Sequence, residues 1–140
     1  MTRDKGRSSP NTVIYIDHSD IREGKVDELR VGVRGLAKFV ETHEPQLIAY
    51  GLYIDERADH MTVVAVHPDS ASLEFHMEIA SSEFRKLAHL ISLRVIEVYG
   101  RLGEKALHLL QQKAAMLGDG GRVLVHEPDA GFGRVLFAKT

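Results

Sequence analysis

The order in which strand-like and helix-like periodicities alternate limits this chain's fold more than any other feature. "TVIYIDH", Thr12 to His18, is a β-branched and aromatic run of strand length. Val26, Leu29, Val33, Leu36 and Val40 then recur at intervals of three and four, which predicts an amphipathic helix from Ile21 to His43. Asp20 with Glu23 reads as a capping box opening that helix, and Pro45 bars its continuation. "QLIAYGLYID" and "MTVVAVH" are two further strands, and the short polar "ERADH" between them makes an antiparallel hairpin. Asp69 or Ser70 caps a second helix that runs, with a break near Ser81, through "FRKLAHLI" to a fourth strand, "LRVIEVYG". The sum is β-α-β-β-α-β, the ferredoxin-like pattern of an α+β domain with an antiparallel sheet. Beyond Gly100, "EKALHLLQQKAAML" is another helix stopped by "GDGG", "RVLVHEP" is a strand, and "GFGRVLFAKT" reads equally as an edge strand or a tail. The expected organisation is a disordered polar tail over 1–11 and a single domain over 12–140, with its core in 12–100 and a C-terminal α-β extension in 101–140.

The strands carry a second message. A sheet with helices on one face alternates apolar and polar residues, yet Ile48, Tyr50, Leu52 and Ile54 alternate with Leu47, Ala49, Gly51 and Tyr53, and "TVVAV" is apolar on both sides. Two greasy faces need two covers, and the helices of one chain supply one. A second copy of the sheet is the most economical partner, so a homodimer closing into an α+β barrel is expected.

Composition narrows the function. Lys+Arg number 18 against Asp+Glu 20, for a formal charge of −2, and the signs are interspersed; neither a nucleic-acid nor a membrane-surface footprint is present. There is no cysteine, which removes disulfides, thiolate metal sites and a cysteine nucleophile and suits a reducing compartment. No apolar run has the length of a membrane span and "MTRDKGRSSPN" lacks a signal peptide's apolar middle, so a cytoplasmic protein is expected.

Chemistry concentrates in "HPDSASLEFHMEIA", residues 67 to 80. On a helical wheel His76 falls within the apolar arc, opposite Glu74 and Glu78, and so points at the sheet. A buried imidazole loses charge, which leaves two readings: a core histidine bonded to a carbonyl or tyrosine hydroxyl, and a neutral base facing a substrate. His67 closes its strand on the same face as Met61, Val63 and Ala65. A four-residue turn would add Tyr50 to that face, bringing Tyr50, His67 and His76 to one cavity. His76 and His67 are therefore the candidate catalytic residues, with Tyr50 or Tyr53 to orient a substrate by hydrogen bond and Phe75 to stack on it. The spacing of nine between the histidines matches no common metal site. His18, Ser19 and Asp20 read as strand-to-helix junction residues explained by helix capping, and "GFGRV" lacks the strand and helix of a dinucleotide fingerprint.

From Val13 to Tyr99 the chain resembles the antibiotic-biosynthesis monooxygenase family, ferredoxin-like dimeric α+β barrels. The likeness is carried by "VIYIDHSDIREGKVDELRVGVRGLAKFVETHEPQLIAYGLYID" and by "VHPDSASLEFHM", in which His76 matches the histidine typical of that helix. The resemblance implies a homodimer whose pocket lies between sheet and helices. It also implies oxidation of quinols or phenolic polyketides without a prosthetic group or, in haem-binding relatives, haem degradation. No cofactor is expected, and the partners expected are a second copy of the chain and a small aromatic or apolar molecule. The family's enzymes commonly use a tryptophan near this helix and an asparagine on the first strand; this chain has no tryptophan, and its first strand has no asparagine.

Overall fold

A computed structural model describes residues 11–134. The elements follow in the order β1 (Val13–Ile21), α1 (Val26–His43), β2 (Ala49–Ile54), β3 (His60–His67), α2 (Ser70–Ile79), α3 (Ser81–Arg85), β4 (Ile91–Tyr99), α4 (Glu104–Leu117) and β5 (Arg122–His126). The sheet has the order β2-β3-β1-β4-β5. Its first four strands are antiparallel neighbours, and β5 adds to β4 in parallel. This is the expected α+β, ferredoxin-like architecture, and the C-terminal extension lengthens its sheet by one strand. The expected tail falls largely on residues 1–10, and the last six residues of "GFGRVLFAKT" on 135–140; both lie outside the described residues. Residues 127–134 form neither strand nor helix. Among the described residues no helix is long and apolar enough to cross a membrane.

Alternation decides which face becomes interior. On β1 the odd positions Val13, Tyr15, Asp17, Ser19 and Ile21 are all buried; on β3 the same holds for Met61, Val63, Ala65 and His67. These residues join Leu29 and Val40 of α1, Leu73 and Met77 of α2, Phe84 of α3 and Leu110 of α4 in one core. The opposite face carries Ile14, Ile16, Val64, Val66, Tyr53 and Tyr99, none of them fully covered.

The boundary between β1 and α1 corrects the capping-box expectation. Ser19 to Ile21 stay in the strand because both neighbours extend to meet them, Ser19 opposite Met61 on one side and Leu93 on the other. Backbone bonds to Asp59 and Leu90 hold Ile21 and Arg22, and the chain turns at Gly24, whose φ of 77° suits a residue without Cβ. Helix α1 thus begins at Val26 behind Lys25, which makes no side-chain cap. His18 is likewise a strand residue on the outer face, within 3.3 Å of the Thr62 hydroxyl and 3.4 Å of the His60 ring.

Other expectations match the structure. Asp69 caps α2 by accepting from the Ser72 amide at 2.8 Å, and the helical stretch breaks between Ile79 and Ser81. The hairpin register places Tyr50 opposite Ala65 and Leu52 opposite Val63, so Tyr50 does share the inner face with His67.

Candidate functional site

Two polar clusters lie inside the core, side by side beneath the helices. The first gathers around His76, only 1% exposed on the sheet-facing side of α2. Its Nδ1 lies 2.6 Å from Oε2 of Glu44, the residue that ends α1. The Tyr50, His67 and Phe84 rings surround the imidazole at centroid distances of 5.3, 5.6 and 5.4 Å. His67 places Nδ1 2.7 Å from the Ser72 hydroxyl, while its Nε2 and the second carboxyl oxygen of Glu44 are buried without a protein partner. Burial drives these groups toward their neutral forms. It raises Glu44 to about 7 against the pull of His43, and it lowers both histidines to about 3, helped by the Lys113 charge. His76 and Glu44 therefore share one proton across a short hydrogen bond in dry surroundings.

The second cluster was not anticipated from the sequence. Lys113 of α4 is 5% exposed and donates to the Tyr15 hydroxyl at 2.8 Å and to Oδ2 of Asp17 at 3.4 Å. Tyr15 donates its own proton to the same Asp17 oxygen. The ammonium of Lys113 sits 3.9 Å from the Phe84 ring centroid, a cation–π contact. Burial lowers the pKa of Lys113 against the pull of Asp17, and burial with the Asp17 charge pushes Tyr15 well above the ordinary phenol. Beside the cluster, Ser19 presents a buried hydroxyl with no protein partner.

An internal cavity of about 20 Å³ touches Asp17, Ser19, Tyr50, Phe84 and Lys113; that volume admits about one water. A surface groove of about 670 Å³ runs outside it between α2–α3 and α4, lined by Met77, Gln112, Met116 and again by Phe84 and Lys113. Phe84 and Lys113 are thus the wall shared by groove and cavity.

Of the residues singled out in the sequence, the structure brings His76, His67 and Tyr50 together. It does not bring Tyr53 or Phe75 to them. Tyr53 is 59% exposed on the other face of β2, where its ring lies over Gly51. Phe75 is 42% exposed because α2 turns Ser72, Leu73, His76 and Met77 inward instead. The additional groups are Tyr15, Asp17, Glu44 and Lys113. Two signals mark them: Asp17 stands at an inward position of an apolar strand, and Lys113 occupies the stripe of Ala106, Leu110, Ala114 and Leu117 that α4 buries.

No family model and no curated protein matches this sequence. Solved structures do. MupZ from Pseudomonas fluorescens superposes with a TM-score of 0.69 at 18% identity, over 89% of this chain and 95% of its own. An antibiotic biosynthesis monooxygenase gives 0.56 at 18% identity, over 65% of this chain and 99% of its own. A conserved protein from Methanosarcina mazei gives 0.58 at 19%, over 66% and 95%. The fold is shared with antibiotic-biosynthesis monooxygenases. The MupZ match covers more of this chain than the other two do.

Proposed function

We propose that this chain is a cofactor-independent enzyme that holds a small apolar or phenolic molecule between sheet and helices and oxidises it with dioxygen. The observation carrying this reading is the His76–Glu44 pair: a histidine uncharged at neutral pH, its Nδ1 fixed at 2.6 Å by a carboxyl group, in a water-poor space. Such a ring can take a phenolic proton on the nitrogen that Glu44 leaves free, and Glu44 stabilises the imidazolium that results. The phenolate is electron-rich enough to react with oxygen where water is excluded. Tyr50, edge-on to His76 and lining the cavity, orients the substrate. The likeness in fold to antibiotic-biosynthesis monooxygenases supports the assignment. Haem does not fit beside His76, because the Tyr50, His67 and Phe84 rings enclose the imidazole and Glu44 holds its Nδ1.

The small volume of the inner cavity, about 20 Å³, favours a second reading, a non-catalytic dimer in which the buried polar groups only pack. Oxygen uptake with a panel of hydroquinones and naphthols separates the two. A turning-over substrate whose rate falls by about 10²- to 10⁴-fold in His76→Ala supports the enzyme. If no member of the panel consumes oxygen and His76→Ala merely loses about 1–3 kcal/mol of stability, the packing reading holds.

We also propose that the outer face of the sheet is the homodimer contact. Ile16, Val64 and Val66 form its centre, with Ile14 and Tyr99 beside them, and among the described residues no element covers this face fully. Val64→Lys places a charge in the middle of that patch and is expected to yield a folded monomer by light scattering; an unchanged dimer would move the contact elsewhere.

A further inference from the structure

We propose that Lys113 is a carbonyl-reactive lysine, and that the groove between α2–α3 and α4 admits an aldehyde or ketone to its amine, which captures it as an imine. This goes beyond the oxygen chemistry above and uses a different cluster.

Four features of the structure point to this chemistry. Lys113 is the one lysine on the buried stripe of α4, and its Nζ lies beside two groups able to move a proton, the Tyr15 hydroxyl at 2.8 Å and the accepting Asp17 carboxylate at 3.4 Å. Its flank is the Phe84 ring, an apolar surface on which a carbonyl compound can rest. The residue lines both the groove and the inner cavity, so its side chain is part of the wall between them. Ser19, with its unpartnered hydroxyl, stands across that cavity and offers a donor to a carbonyl oxygen or to the water released.

Lysine becomes a nucleophile when an apolar site holds it as the free amine. Burial lowers the affinity of Lys113 for its proton, and transfer of that proton to Asp17, directly or through Tyr15, replaces a buried ion pair by two neutral groups. The lone pair of the amine attacks the carbonyl carbon, forming the C–N bond, and a proton from nitrogen moves to oxygen to give the carbinolamine. The carboxylic acid of Asp17 then protonates the hydroxyl, which leaves as water when the C–O bond breaks. The products are an iminium on Lys113, a carboxylate on Asp17 beside it, and one water. Charge and atoms balance with no oxidant or further reactant, and the iminium keeps the counter-ion that the ammonium had.

Reductive trapping tests this in the intact wild-type protein. Propanal and benzaldehyde, each with cyanoborohydride at pH 7, convert any iminium to a stable secondary amine that peptide mass mapping locates. Lys113 is expected to be alkylated faster than Lys86, whose side chain is 68% exposed, by at least about tenfold, because a lysine held as the free amine is the better nucleophile. Alkylation of Lys86 with Lys113 untouched, or labelling of both at equal rates, would overturn the proposal. Asp17→Asn, confirmed as folded by its thermal transition, is expected to slow labelling at Lys113 about tenfold and leave Lys86 as it was; an unchanged rate removes Asp17 from the step and overturns the mechanism. Trapping proceeds without oxygen, and oxygen uptake requires no imine, so each reading can fail alone.

Discussion

Gly118→Ala is expected to cost about 3 kcal/mol or more of folding stability, read as a lowered urea midpoint. Gly118 ends α4 with extended backbone, φ −161° and ψ 151°, so its conformation does not call for glycine. The requirement is space. A Cβ here would stand 2.0 Å from the carbonyl oxygen of Leu93 and 2.9 Å from its carbonyl carbon, atoms of the β4 backbone that cannot turn aside. Overpacking typically costs about 1–3 kcal/mol where side chains can shift, and more where they cannot. The only relief is for the end of α4 to lift from the sheet, which draws Lys113 away from Tyr15 and Asp17. The loss of stability should therefore be accompanied by loss of reductive labelling at Lys113. A variant with the wild-type midpoint would show that α4 is not held against β4 as described.

Acid should destabilise the protein from an unusually high pH. His67 is buried, and burial, with the neighbouring His76 and Lys113 charges, lowers its pKa to about 3 in the folded chain, against an ordinary 6.5. The unfolded chain binds the proton more tightly, so stability is full above pH 6.5 and declines as the pH falls through that value toward 3. His76 and Glu44 modify the curve in a definite way. Between about pH 4.5 and 6.5 the folded pair holds one proton, on the raised carboxyl, and the unfolded pair also holds one, on the histidine. Their slopes cancel there. One net proton remains, and unfolding free energy should fall by about 1.4 kcal/mol per pH unit across this window, or about 2–3 kcal/mol in all. Below 4.5 the pair adds its own loss and the curve steepens. Above 6.5 it slopes gently the other way, because the raised Glu44 gives up its proton near 7. Urea midpoints from pH 4.5 to 8 in wild type and His67→Phe provide the check: the variant should be nearly flat between 4.5 and 6.5. Equal slopes in the two proteins would mean that His67 is charged in the fold.

The succession of strands and helices was legible because its signals are local. Strand-length β-branched and aromatic runs, the α1 stripe and the Asp69 cap each state their structure within a few residues. The convergence of Tyr50, His67 and His76 was legible for a related reason: a short polar turn fixes the hairpin register, and parity then fixes the face. Errors arose where long-range pairing overrode a local motif. Asp20 and Glu23 have the spacing of a capping box, yet β3 and β4 both offer ladder partners as far as Asp20, and the strand persists. Tyr53 and Phe75 lie away from the imidazole for periodic reasons: strand parity sets Tyr53 on the face opposite to that of Tyr50, and α2 turns His76 and Met77 inward instead of Phe75. The second cluster escaped notice since its members are remote in sequence, Asp17 and Lys113 being 96 positions apart. What each displayed on its own was an ionisable side chain on a surface otherwise bound for the interior, and two such anomalies on faces that meet are a pairing signal.

That separation affects how the molecule assembles. A ribosome releases the strand bearing Asp17 long before the helix bearing Lys113, so while residues 18–112 are being added the chain has a carboxylate in its future interior and no Lys113 to match it. Until α4 emerges, the nascent sheet has reason to stay hydrated around that position and to postpone full closure. Docking of α4 then desolvates both ions together, which couples β1 to an element made well after it and favours a single cooperative transition over stepwise maturation.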